Sequence, residues 1–434
     1  QAQYRDFGRL MADAATLFFI SIFGIVVKQH EAVFETAELA FSCAAFFGCC
    51  WALTRPYWGS ALAGFACGAS ILCSNLLVGA TVLVGCLMSH ILVRGIGDTS
   101  RKIFTTIAVA FVTFGLWPLV SYLLAGVVAG DYFNLWAQRQ IQIVGFFDPQ
   151  EILWFIKHFI WYLCPVWPFA FWAIWMWRKN LTVTHIALPL SFCFAWFVGF
   201  MLSSDVAAET LLSVTIAPLC VLATFGLMAC NRSTKSMLEL FSVAVFTLAL
   251  AGVWAYFIAW TLGFPPKMHW SILRLTADES VSHAHWVAVI LAAALLAFWL
   301  YLCVRRLMRR PIRFWTGPWL SASGITVLWI SAVCLFGPVI DSNRTFANIA
   351  REMTQELKTM HFVSGTDCVL AQTLPLSERA AIEWHSGVTL TASEAASCRF
   401  IISHVSAKRQ AKNPTKAPGF VVLKSFRPRS DTRY

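Results

Sequence analysis

Along its first 340 positions the chain repeats one pattern: a block of about 20 apolar residues, the length a helix needs to cross a bilayer, then a short cluster of Arg, Lys, Gly, Pro or other polar residues. The pattern predicts eleven membrane helices, near residues 10–27, 35–53, 59–73, 76–93, 103–127, 161–177, 184–203, 210–229, 237–262, 284–304 and 315–337. Two of these come from a single run, residues 59–93, which holds no charge over 35 positions. As one straight helix it would reach roughly 52 Å, far beyond a hydrocarbon core of about 30 Å, so it must fold back on itself. Its most polar midpoint is Ser74–Asn75 in "GASILCSNLLVGA", and a hairpin is predicted there. The first block follows Arg5 and Arg9, carries Asp13 and has no small-residue cleavage site behind it, which makes it a span and not a signal peptide. The sequence starts on Gln1 without an initiator Met, so a preceding segment is expected.

Charge orients these helices. Loops on one side of the scheme hold 15 Lys and Arg, among them Arg5, Arg55, Arg101, Lys102, Arg178, Arg232 and five Arg between positions 305 and 313. Short loops on the other side hold five: Lys28, Arg139, Lys157, Lys267 and Arg274. Basic residues stay on the cytoplasmic side, so the amino terminus is expected inside and the carboxyl tail outside. This placement also accounts for the net charge of +11, and no nucleic-acid partner is expected. Ten of the fourteen acids before residue 341 then fall on the outer face, among them Glu31, Glu35, Glu38, Asp205 and Glu209. Chemistry that uses carboxylates would sit there. Between the fifth and sixth spans, Trp, Phe and Tyr alternate with Arg139, Gln140, Gln142, Lys157 and His158. That pattern suits a helix lying flat in the interface, where it can hold an amphiphile's headgroup.

From residue 341 the period changes. "DSNRTFANIAREMTQELKTM" sets Phe346, Ile349, Met353, Leu357 and Met360 on one face of an amphipathic helix. Strand-like runs follow, "CVLA", "CRFIISH" and "GFVVLKSF", around a second helical stretch at "LSERAAIEWHSG". The expected fold class is therefore mainly α, with a polytopic membrane helix bundle over residues 1–340 and a small extracytoplasmic α/β accessory domain over 341–434. Twelve of the fourteen Cys lie in or beside the spans, where Cys acts as a small hydrophobe. The other two, Cys368 and Cys398, share the outer module, and an oxidising compartment would pair them. His269, His283 and His285 share one outer loop, but no Cys or acid completes a ligand spacing, so no metal site is assigned. No cofactor is required, although a divalent metal stays open.

Four stretches carry a resemblance: "KQHEAVFETAELAFSCAAFFGCCWALTRP", "GSALAGFACGASILCSNLLVGA", "HFIWYLCPVWPFAFWAIWMWRKN" and "LSSDVAAETLLSVTIAPLCVLATFGL". In this order they resemble the polyprenyl-phosphate-dependent glycosyltransferases of the GT-C superfamily, the group of the lipid A aminoarabinose transferase and its dolichyl-phosphate-mannose mannosyltransferase-like relatives. The resemblance implies an inner-membrane, cell-envelope enzyme that moves a sugar, with inversion, from a polyprenyl phosphate to a lipid, glycan or protein acceptor on the outer face. It also implies two further spans ahead of those counted here, with the main catalytic acid between them, upstream of Gln1. Carried onto this sequence, it makes Glu35 an acid of the site, with Glu31 as the alternative. Asn75 stands where the family has a phosphate-binding lysine, and Asp205 and Glu209 stand where polar residues contact donor or acceptor. An Asn amide brings no charge, so either Arg139, Lys157 or Lys28 meets the donor phosphate instead, or donor binding is weakened. Two rivals stand beside the enzyme. A transporter or flippase would want ionisable groups at midplane, whereas Asp13 and Glu239 lie near the inner side. A non-catalytic relative kept as a membrane partner is the other.

Overall fold

The computed structural model of the chain describes residues 2–28, 34–93, 95–145, 152–203, 210–276, 284–308, 314–363, 367–372, 374, 376–391 and 398–403. Among these residues the order of elements begins α1 (Ala2–Ser21), α2 (Phe23–Lys28), α3 (Phe34–Trp51), α4 (Pro56–Cys73), α5 (Leu76–Leu92), α6 (Thr99–Ala125) and α7 (Val127–Ile143). It continues with α8 (Ile152–Tyr162), α9 (Val166–Met176), α10 (Thr184–Met201), α11 (Leu212–Ala229), α12 (Arg232–Leu262), α13 (Pro266–Thr276), α14 (Trp286–Met308) and α15 (Thr316–Arg344). The tail supplies α16 (Ala347–Thr359), β1 (Val369–Gln372), α17 (Leu376–Ser386), β2 (Leu390–Thr391) and β3 (Phe400–Ser403).

Every predicted span falls on a helix, except that residues 10–27 fall on the pair α1 and α2 and residues 161–177 on the end of α8 and on α9. Six helices, α6, α10, α11, α12, α14 and α15, are long and apolar enough to cross a membrane alone, and the bent pair α8–α9 adds a seventh if taken as one span. Length and apolarity thus support six or seven crossings among the described residues, where the sequence pattern suggested eleven. The difference has a physical source. Helices α3 and α4 carry Glu35, Glu38, Ser42, Ser60 and Ser70, while α5, although apolar, has only 17 residues. Helix α6 leaves Phe104, Phe111, Leu123 and Leu124 exposed along its length, which suits lipid and not water. The chain is a multi-pass membrane protein.

One compact unit comprises Gln1–Leu248 and Trp299–Trp329. Within it α3 packs on α4, α4 on α6, α5 on α10 and α11 on α9. The α3–α4 contact is close because both helices present glycine: a Cβ on Gly48 would lie 2.9 Å from the Gly59 carbonyl oxygen, and one on Gly59 would lie 2.7 Å from that of Gly48. One apolar core gathers Phe18, Leu163, Ile186, Ile216 and Leu222; a second gathers Ala63, Cys67, Val78, Val82 and Phe192. Elsewhere in this unit the Trp299 indole donates to Thr247 Oγ1 at 3.0 Å, Ser242 and Ser321 share a hydrogen bond of 2.6 Å, and the Arg306 guanidinium is bonded to Glu239. Glu239, one of the two deep acids, is therefore an ion-pair partner.

The second unit comprises Ala249–Phe298 and Ile330–Tyr434. Its helical part is built around Phe257, Trp260, Ile272, Leu335 and Val339. In the tail, Ala350, Met353 and Leu357 of α16 meet Val369, Ile382 and Leu390 in one apolar cluster. The three strands are parallel in the order β2-β1-β3, so β1, α17 and β2 form a βαβ unit. Arg379 and Glu383 of α17 bind the Leu390 backbone, the Arg379 guanidinium donating to its carbonyl and its N–H donating to Glu383 Oε1 at 2.7 Å. Cys368 and Cys398 are joined by a disulfide with an S–S distance of 2.04 Å. The run "GFVVLKSF" lies outside the described residues.

Candidate functional site

Four elements converge where α3 begins and the α4–α5 hairpin turns. At that turn the Ser74 N–H still bonds to the Ser70 carbonyl, while Asn75 takes extended backbone and starts the next helix. Its Oδ1 accepts from the Val78 N–H at 2.9 Å and its Nδ2 donates to Ser74 Oγ at 3.0 Å. Asn75 is thus the N-cap of α5, satisfying a first-turn donor that would otherwise be orphaned. The next such donor, the Leu76 N–H, reaches Gln140 Oε1 of α7 at 2.8 Å. This bond latches α7 to the hairpin, and Gln140 is buried by it. The end of α7 is held on its other side too, since the Gly145 N–H donates to the Leu202 carbonyl at 3.1 Å and Val144 bridges Ser203.

Helix α3 brings its acids to this hairpin. Glu38 is fully buried, and its Oε1 accepts a hydrogen bond from Ser213 Oγ of α11. The single hydroxyl hydrogen of Ser213 is shared, because the Thr210 carbonyl lies 2.8 Å away on the same helix end. The Ser74 hydroxyl and the Glu35 carboxylate also act electrostatically on Glu38. Glu38 Oε2, Glu35 Oε2 and Ser42 Oγ are buried without a hydrogen-bond partner among the described residues, as is Ser70 Oγ on α4. Positions 35, 38 and 42 recur at helical spacing, so one face of α3 is a polar stripe. Buried polar groups are almost always satisfied by protein, water or ligand, and this stripe marks where a polar ligand would find acceptors waiting.

The residues singled out from the sequence distribute as follows. Glu35, Asn75 and Arg139 lie at or beside the convergence, with Arg139 exposed on α7 next to Gln140. Lys157 is exposed on α8, which meets α9 at 95° and packs through Phe155 on Phe200, ring centroids 3.9 Å apart. Lys28 closes α2; its side chain, together with Glu31, Asp205 and Glu209, lies outside the described residues. Ser213 is absent from the sequence reading, while Glu38 enters it only as one of ten outer acids and Gln140 only as part of the interfacial stretch. Glu38 could have been found from its spacing of three from Glu35, whereas nothing local in "LLSVTIAP" marks Ser213. Among the described residues no three His, Cys, Asp or Glu side chains are grouped to hold a metal ion. His269 turns Nδ1 to the Ala259 carbonyl at 3.1 Å, and His285 Nδ1 accepts from the Val287 N–H at 3.4 Å.

No protein-family model matches the chain, and no curated protein sequence matches it. Among solved structures, the chain is similar to ArnT from Cupriavidus metallidurans, crystallised with undecaprenyl phosphate, with a TM-score of 0.60 at 16% identity. The similarity covers 90% of this chain and 68% of that one. At this identity the likeness is one of architecture alone: the chain shares the polytopic helical fold of that structure.

Proposed function

We propose that the protein is a membrane glycosyltransferase that moves a sugar from a polyprenyl-phosphate carrier to a lipid, glycan or protein acceptor at the outer face of the inner membrane. The observation that carries this reading is Glu38: a buried carboxylate with one oxygen held by Ser213 and the other unpartnered among the described residues, at a turn-lined end of a GT-C-type bundle. In an inverting displacement the acceptor hydroxyl oxygen attacks the anomeric carbon and the bond from that carbon to the phosphate oxygen breaks. The polyprenyl phosphate leaves with the electron pair, and the hydroxyl proton passes to a carboxylate. Glu38 is suited to take that proton, because a desolvated acceptor oxygen aimed at a hydroxyl is what general-base catalysis needs. Glu35, with Glu31 as its alternative, supports the same role. Arg139, Lys157 and Lys28 are the cations offered to the leaving phosphate, and Asp205 and Glu209 the polar contacts to donor or acceptor. The termini follow the charge asymmetry, with the amino terminus cytoplasmic and the tail, residues 341–434, a periplasmic accessory domain.

One observation favours a second reading, a non-catalytic relative. The Asn75 side-chain oxygen is committed to capping α5, and the residue offers no charge where a phosphate-binding cation is expected. Transfer of labelled sugar from a polyprenyl-phosphate donor by the full-length protein separates the two. The enzyme reading expects turnover by the wild type and a loss of about 100-fold or more in Glu38→Gln with donor binding kept. Donor binding without turnover in the wild type would favour the non-catalytic relative, and full turnover in Glu38→Gln would remove Glu38 from the site.

A further inference from the structure

At the other end of the hairpin, about 25 Å along α5 from Asn75 at 1.5 Å per residue, lies a polar cluster that sugar transfer does not use. Here the turn between α3 and α4 packs on the turn before α6. The Ile96 N–H donates to the Leu53 carbonyl at 3.2 Å, and Gly97 abuts Pro56. The sequence of the second turn is "GIGDTSRK", two glycines followed by the first residues of α6. Gly97 has φ +89°, a conformation that residues with side chains rarely adopt, and a Cβ on Gly95 would stand 3.3 Å from Lys102 Nζ. A Cβ on Gly95 would also stand 3.0 Å from the Leu53 Cα, so the two glycines let the two turns close against each other beside the Lys102 ammonium.

That ammonium is unusual. Lys102 is 2% exposed, yet among the described residues no carboxylate forms an ion pair with it. The titratable group it acts on is another base, His90, whose Nε2 faces Thr106 Oγ1 at 3.2 Å. Two more cations share the two turns: Arg55, and Arg101, whose Nη1 donates to Tyr57 Oη at 3.5 Å. Against them stands Asp98, already used: its Oδ1 accepts from the Ser100 N–H at 3.1 Å and its Oδ2 lies 3.9 Å from Arg101 Nε. A cation withdrawn from water without a counter-charge is costly, and an anion that entered here would relieve the cost. Around the cluster Tyr57, Trp58 and Ile96 are exposed, as side chains that meet lipid at an interface are.

We infer that Lys102, with Arg101 beside it and the Gly95–Gly97 turn beneath it, binds the phosphate group of an anionic membrane lipid, whose acyl chains lie against Tyr57, Trp58 and Ile96. The exposed apolar rim favours a lipid over a soluble phosphate. This site is separate from the Glu38 cluster, so its fate is independent of the transferase reading. The test is native mass spectrometry of the full-length protein in micelles supplied with equal phosphatidylglycerol and phosphatidylcholine. Wild type is expected to retain the anionic lipid about tenfold more, the scale of one charge-assisted contact, and Lys102→Met to bring the two to parity while Lys102→Arg keeps the preference. Should Lys102→Met fail to fold, Arg101→Gln, which removes the neighbouring exposed cation, is expected to diminish the preference as well. Parity in the wild type, or an undiminished preference in Lys102→Met or in Arg101→Gln, would overturn the proposal. So would displacement of the lipid by equimolar inorganic phosphate, which would make this a soluble-anion site.

Discussion

Asn75 shows how one side chain can carry two meanings. By comparison with a family lysine it looks like a missing charge; in the structure its oxygen is the acceptor that starts α5, and its amide is bonded to Ser74. A lysine has no acceptor and could not replace that cap. Asn75→Lys and Asn75→Ala are therefore both expected to lower stability by about 1 kcal/mol, whereas Asn75→Asp keeps the cap and loses little. Thermal unfolding of the three variants in detergent checks this, and equal melting of Asn75→Ala and wild type would deny Asn75 the capping role. Glu38 teaches the complementary lesson. The sequence places it among ten outer acids with nothing to rank it above Glu35, because its rank comes from Ser213, 175 positions away. Long-range partners decide which carboxylate is buried, and they have no local signature. The polar turn itself was legible, since an uncharged run of 35 residues has to fold back somewhere.

At the scale of elements, hydrophobic blocks locate helices well because a membrane span needs a run of a set length. The pattern is less able to find elements that are short or only partly apolar. Helix α13 sits in a stretch read only for its charges and histidines, and β2 is two residues long. Nor does it show which helices touch. Gly48 and Gly59 look unremarkable in their own spans, yet a Cβ on Gly48 would stand 2.7 Å from the Ala63 nitrogen and one on Gly59 2.7 Å from the Gly48 carbonyl oxygen. Filling that contact forces backbone apart, so Gly59→Ala is expected to cost about 1–3 kcal/mol, the range for overpacking, with the loss falling on the α3–α4 pair. Gly115 on α6, where an added Cβ meets nothing within 4 Å, is the control, and Gly115→Ala should melt with the wild type. Because α3 carries Glu35 and Glu38, any activity should fall in Gly59→Ala along with stability, a coupling that thermal shift and transfer assays on the same preparations would reveal.

For the whole molecule the proposed orientation rests on charge placement, 15 basic residues against five in alternate loops, and on that proposal the tail lies outside. The disulfide gives this orientation a chemical consequence. Cys368 and Cys398 enclose 30 positions, and closing a loop of that length removes enough freedom from the unfolded tail to stabilise it by about 3–4 kcal/mol. A bond of this kind persists only where thiols are kept oxidised, so orientation and stability are linked: an outer tail holds its cross-link and its fold, an inner one loses both. The expected outcome in intact cells is that neither cysteine reacts with an alkylating reagent until a reductant is added, and that non-reducing peptide maps show the two joined. Cys368→Ser should then make the tail, from α16 through β3, sensitive to protease at temperatures the wild type tolerates, while α1 to α11 stay protected. Alkylation of both cysteines without reductant would overturn the proposed outer placement of the tail.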